Sequence, residues 1–100
     1  MAVRTTTEYR QRATMLKALA HPTRLLIVDE LGEVGERCVC ELTELVGSDM
    51  STVSRHLSQL RNAGIVEDDR RGAKIFYKLC FPCLGKLFEC LSESCDCSNM

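Results

Sequence analysis

Six of the seven cysteines in this 100-residue chain fall in three close pairs: Cys38-Val39-Cys40, Cys80-Phe81-Pro82-Cys83 and Cys95-Asp96-Cys97. Cys90 stands alone. An odd cysteine count in close pairs, behind a first stretch Met1 to Glu8 with no apolar core to act as a secretory signal, points to reduced thiols in the cytoplasm rather than to a disulfide scaffold. Thiolates are soft ligands, so closely spaced pairs suit soft metal or metalloid ions, or a thiol redox couple. If Cys38 and Cys40 both lay in a regular α-helix, an advance of about 100° per residue would turn their side chains about 200° apart. Sharing one ion would then require the start of that helix to unwind or bend.

The remaining pairs read differently. Cys80 and Cys83 have metal-ligand spacing, but the gap of 39 residues back to Cys40 is too long for the common zinc ribbon, and packing, a second ion site or a redox couple all remain open for them. Cys90, beside Leu87, Phe88 and Leu91, reads as a small core residue. His21 reads as a residue that fixes the start of the helix opening at Pro22.

The elements that must position these residues follow from periodicity. Met15, Leu16 and Leu19 mark a first amphipathic helix over residues 9–19. His21-Pro22-Thr23-Arg24 interrupts it and opens a second, through Leu25, Leu26, Val28 and Leu31, which Gly32 and Gly35 end. Val39, Leu42, Leu45 and Val46 indicate a short third helix over 39–46, stopped at Gly47. Asp49 is placed to cap a fourth over 50–63, with Val53, Leu57 and Leu60 as its buried stripe. Ala73, Ile75, Tyr77 and Leu79 then alternate with polar or outward residues, predicting a β-hairpin whose charged tip is Glu67 to Gly72. Pro82 starts a last helix carrying Leu84, Leu87, Phe88 and Leu91. The expected fold class is mainly α with a small β-hairpin, in the order α-α-α-α-β-β-α, with residues 1–8 as a loose N-terminus, 9–91 as the folded domain and 92–100 as a cysteine-containing tail.

Two short helices joined by a tight Gly-containing turn and followed by a hairpin make a winged helix-turn-helix. The net charge of −1 is no basic excess. Residues 51–78 nevertheless set Arg55, Arg61, Arg70, Arg71, Lys74 and Lys78 against only Glu67, Asp68 and Asp69. On the exposed face of the fourth helix, Ser51, Thr52 and Ser54 permit close approach to a duplex, while Arg55 and His56 reach phosphates or base edges. Arg70, Arg71 and Lys74 are expected to meet neighbouring phosphates from the wing. The bland alternative is a solvated helix face and a charged turn, with His56 a packing residue.

The stretches Leu19-Ala20-His21-Pro22-Thr23-Arg24-Leu25, Cys38-Val39-Cys40-Glu41-Leu42 and Ser51-Thr52-Val53-Ser54-Arg55-His56-Leu57, continuing through Val66, with Gly72 and Tyr77 in the wing, closely resemble the ArsR/SmtB family of metal-responsive repressors. The match covers roughly residues 12–80 and is nearest the arsenical-resistance operon repressors. The resemblance implies a homodimer built on the first and last helices, a palindromic double-stranded DNA operator and release by a ligand. Cys38 and Cys40 resemble the thiolate site of arsenite- and cadmium-responsive members, with arsenite or antimonite as the implied inducer. Where arsenite-responsive relatives carry a third cysteine this chain has Thr43, so a third sulfur must come from elsewhere, with Cys95 or Cys97 in the tail preferred, or an exogenous ligand must take its place.

Other expectations stay in view. The same repressor could answer a soft divalent ion such as cadmium, lead, zinc or mercury, or peroxide through disulfide formation. A thiol oxidoreductase built on Cys80 and Cys83 lacks the surrounding strand and helix alternation, and no triad, paired-carboxylate or phosphate-loop signature occurs, so the chain is not expected to be an enzyme. No apolar run approaches the length of a membrane span.

Overall fold

The computed structural model describes residues 6–92. Its elements run α1 (Thr6–Leu19), α2 (Pro22–Val34), β1 (Glu36–Cys38), α3 (Val39–Val46), α4 (Met50–Asn62), β2 (Val66–Arg71), β3 (Lys74–Leu79) and α5 (Leu84–Ser92). The five helices and the hairpin are those the sequence predicts. β1 is new: it pairs antiparallel with β3, so the sheet has three strands in the order β1-β3-β2. Three residues are too few to show a period of two, and β1 becomes a strand only because β3 offers it an edge.

Local chemistry sets the boundaries. His21 caps α2, its Nδ1 accepting from the backbone N–H of Thr23 at 3.1 Å, with Pro22 in the first turn where no donor is needed. Gly47 ends α3 in the left-handed conformation, φ 79°, and Asp49 caps α4 by accepting from the Thr52 backbone N–H at 3.0 Å. Gly72 supplies the positive φ of 63° for the two-residue turn between β2 and β3. At the last helix the expectation needs correction. Pro82 lies in a turn ahead of α5, where Leu84 N–H donates to the Phe81 carbonyl, and the helix itself starts at Leu84.

The core is shared by all the layers. Ile27, Val28 and Leu31 of α2, Leu42 of α3, Val53, Leu57 and Leu60 of α4, Ile65, and Tyr77 and Leu79 of β3 form one buried cluster. The α4 stripe is buried as its spacing requires, and Tyr77 and Leu79 turn inward with Ile75 behind them. On α1 and α2 the selection is narrower than expected: Ala18 and Ile27 are buried, while Leu16 and Leu26 are exposed. α5 packs on α2 through Leu84, Leu87 and Phe88 and buries none of its residues fully. Cys90 is exposed, not a core residue, because those three side chains already define the inward stripe and Cys90 falls outside it.

Candidate nucleic-acid interface and thiol site

Burial of Val53, Leu57 and Leu60 fixes the rotation of α4 and leaves Ser51, Ser54 and Arg55 exposed on its other side. Thr52 is half-buried and is tied to the Asp49 cap. Ser51 Oγ also donates to Asp49 Oδ2 at 3.4 Å. These bonds, that of Thr52 foremost, hold the Asp49 carboxyl below its usual range. The helix therefore presents two serines and an arginine from a rigid first turn and a half.

His56 departs from the expected set. It is half-buried against α2, where Arg24 Nε donates to its Nδ1 at 3.1 Å and the His21 ring lies 4.6 Å away. Burial, and then the charges of His21, Arg24 and Arg55, push its pKa down. A ring used as an acceptor in a partly apolar, cationic surround is a neutral packing group. The start of α2 and α4 are joined through it.

The wing arginines also divide. Arg71 donates to Glu36 at 2.8 and 2.9 Å and to Asp69 at 2.9 Å, and its guanidinium lies 4.5 Å from the centre of the Phe76 ring. The hydrogen bonds to Glu36 and then Asp69 raise its pKa further and occupy donors in bracing β1 against the hairpin. Arg55, Arg70 and Lys74 are exposed and form no ion pair among the described residues, which leaves them available to phosphates.

The thiol pair sits where strand turns into helix. Cys38 is the last residue of β1 and the N-cap of α3, with extended φ −83° and ψ 163°, and Cys40 is in the first helical turn. The two Sγ atoms are 2.6 Å apart, Cys38 buried and Cys40 exposed. The condition under which sharing one ion would unwind the helix is thus not met, since only Cys40 is helical. An extended N-cap residue is free of the 100° helical advance, so one ion can be shared without unwinding α3, and a local opening suffices to reach the roughly 3.8 Å that tetrahedral ligation at about 2.3 Å sets between sulfurs.

Glu41 completes this junction as one half of a capping box, its Oε1 accepting from the Cys38 backbone N–H at 2.9 Å and its own N–H facing the Cys38 sulfur. That bond holds the Glu41 carboxyl low. The hydrogen bond with Cys40, and next burial, push the Cys38 thiol up. The pattern Cys38-x-x-Glu41 is a capping box with sulfur in place of a hydroxyl, and its spacing is a signal that the sequence itself carries.

Of the other cysteines, Cys80 and Cys83 are exposed. The register sets Cys38 opposite Phe76, and Cys80 lies four residue steps beyond Phe76, about 13 Å at 3.3 Å each, so that pair lies away from the thiol junction. Thr43 does not substitute for a sulfur: its hydroxyl donates back to the Val39 carbonyl at 2.8 Å. Cys95 and Cys97 lie outside the described residues. Among the described residues no group of three or more His, Cys, Asp or Glu side chains could enclose a metal, and no helix is long and apolar enough to cross a membrane.

Beside the thiols is a cavity of about 210 Å³. Its walls are Cys38 and Cys40 from the α3 start, Met50 and Ser54 from α4, and Ala73 and Lys74 from the wing. The juxtaposition is not legible along the chain, because it joins the start of α3 to α4 and to wing residues more than thirty positions away.

Known proteins resemble this chain in sequence and in fold. Residues 21–68 match the family described as bacterial regulatory protein, arsR family. An arsenic resistance transcriptional regulator of Pseudomonas putida is 43% identical over 65 residues, covering 65% of this chain and 51% of the relative, so the chain spans about half that protein's length. Among solved structures, a homodimeric winged helix-turn-helix DNA-binding domain of Mycobacterium bovis, a possible ArsR-family regulator, has a TM-score of 0.81 at 31% identity, covering 96% of this chain and 88% of that one. The antimony-specific transcriptional repressor AntR has a TM-score of 0.79 at 30% identity, with 96% and 89% covered.

Proposed function

The chain belongs to the ArsR family of DNA-binding regulators, which are not enzymes, and on that premise we propose that it is a cytoplasmic homodimeric repressor released from its operator when Cys38 and Cys40 bind trivalent arsenic or antimony. The observation that carries this reading is the approach of the two sulfurs to 2.6 Å at the head of α3, beside the reading helix. The arsenic-resistance relative and the antimony-specific structural neighbour favour a metalloid over other ligands.

On DNA, Ser51, Ser54 and Arg55 enter the major groove, with Thr52 supporting them through the α4 cap, and Arg70 and Lys74 lie along the flanking phosphates. Arg71 acts at one remove by bracing the wing, and His56 by fixing α4 on α2. A two-fold dimer sets the two reading helices about 34–36 Å apart, one turn of duplex, which is why the operator is palindromic. The dimer is supported by the homodimeric neighbour and by the exposed leucine of α1, Leu16, together with the half-covered stripe of α5. Two sulfurs come from Cys38 and Cys40, and the third position is filled by Cys95 or Cys97 or by an oxygen ligand.

The test is fluorescence anisotropy on a palindromic duplex selected from a random library. Arsenite, antimonite, cadmium, zinc and peroxide are titrated into the wild type, Cys38→Ser and Cys40→Ser. Arsenite and antimonite are expected to release the wild type and neither variant. Release of both variants by arsenite would remove the proposed site, equal or greater potency of cadmium would favour the soft divalent ions, and release by peroxide alone would make the switch a disulfide.

A further inference from the structure

The cavity beside the thiols is walled on its far side by two residues of the DNA-reading surface. Ser54 projects from the exposed face of α4 and Lys74 from the wing turn, and neither side chain has a hydrogen bond or ion pair among the described residues. A serine and a lysine therefore line the same cavity as the two cysteines, in a space large enough for a small oxyacid.

The chemistry of trivalent arsenic fits that arrangement. In neutral water it is the uncharged acid As(OH)3. Two S–As bonds form as two As–O bonds break, and each departing hydroxyl leaves as water with the proton of one thiol. Nothing is oxidised or reduced, and arsenic remains three-coordinate with one hydroxyl. With Thr43 turned back onto its own helix and no third thiol at the cavity among the described residues, that hydroxyl needs a polar environment.

We infer that Cys38 and Cys40 take up two bonds of the metalloid acid while Ser54 and Lys74 hold its remaining hydroxyl, so that ligand and operator compete for the same two side chains. The inference rests on the thiolate reading above and adds the third ligand and the route of release. DNA draws Ser54 to the groove and Lys74 to a phosphate, and the bound acid draws both inward. A ligand that prefers the conformation DNA does not must weaken DNA binding by the factor by which DNA weakens it. Met50 also lines the cavity and adds apolar surface to its wall.

The test uses the full chain, Lys74→Met, Ser54→Ala, the double variant and a chain ending at Ser94. Arsenic X-ray absorption gives the ligand set, near-ultraviolet thiolate-to-arsenic absorbance gives the stoichiometry, and the ratio of operator affinities without and with saturating arsenite gives the coupling. Each variant is compared with itself, so a loss of DNA affinity from removing a phosphate contact cancels. The expected results are two sulfurs and one oxygen around arsenic in both the full and the shortened chain, one arsenic per protomer in every variant, and a coupling ratio reduced at least fivefold in Lys74→Met and further in the double variant. Three sulfurs in the full chain, or an unchanged ratio in the double variant with arsenic bound, would overturn the inference while leaving the thiolate site standing. Absence of thiolate-to-arsenic absorbance in the wild type would remove that site and the inference with it.

Discussion

At the scale of single residues, identical side chains have unlike roles according to what already occupies them. Arg70 and Arg71 are neighbours, yet Arg71 is held by Glu36 and Asp69 while Arg70 is unengaged. Arg70→Ala is therefore expected to lower the slope of log affinity against log salt by about 1, the share of one phosphate contact. Arg71→Ala should leave the slope nearly unchanged and instead loosen β1 from the hairpin, seen as faster amide exchange at Glu36 to Cys38. Equal slopes for the two variants would contradict this division. The thiols make a second prediction through proton count. The Cys38 thiol is pushed up by its bond to Cys40 and by burial, so cadmium must displace protons, and its log affinity should rise by up to about 2 per pH unit between pH 6 and 8. Arsenite disposes of the same protons as water and should bind with nearly constant affinity over that range. A metalloid affinity climbing as steeply as that of cadmium would exclude the exchange of thiols for hydroxyls.

At the scale of elements, the first turn of α4 is the critical one, because its cap also orients Ser51 and Ser54. The Asp49 carboxyl is held low by Thr52 and Ser51, below the value near 3.9 of an unfolded chain. A carboxylate whose pKa falls on folding contributes stability that is full above the unfolded value and is lost as pH drops through the folded one. Asp49→Ala should thus lower the thermal midpoint at pH 7 and weaken operator binding, and the gap from wild type should narrow as pH falls below about 4. Asp49→Ser, which retains an acceptor, should recover most of the neutral-pH loss. A gap independent of pH would mean that the cap does not act through its charge. The α4 stripe was readable from Val53, Leu57 and Leu60 alone, since an amphipathic helix of 13 residues repeats its pattern often enough to show it. β1 was not, because a strand of three residues exists only through its partner.

At the scale of the whole molecule, a chain of this size buries a modest share of its surface, and the exposed leucine at Leu16, 59% accessible, with the half-covered stripe of α5, is the face assigned to the second copy in the proposed dimer. Leu16→Glu removes no buried contact within one protomer, so the fold should persist by circular dichroism. Sedimentation should show a shift to monomer, and operator affinity should fall at least tenfold because two linked half-sites become one. A variant that stays dimeric would show that α1 lies outside the interface.

By itself the sequence determined the winged helix-turn-helix, because helix periods, caps and turn glycines are local and repeat along the chain. It also marked Cys38 and Cys40 and the basic residues of the reading face. Only the tertiary structure decided how those residues are used. Cys38 escapes the helical advance because β3 holds it as a strand residue and α3 starts one position later. His56 and Arg71 leave the DNA-facing set because α2 and β1 supply partners distant in the chain. Ser54 and Lys74 share a cavity with the thiols because α3, α4 and the wing pack around one core. Each is a contact between segments that spacing along the chain does not encode.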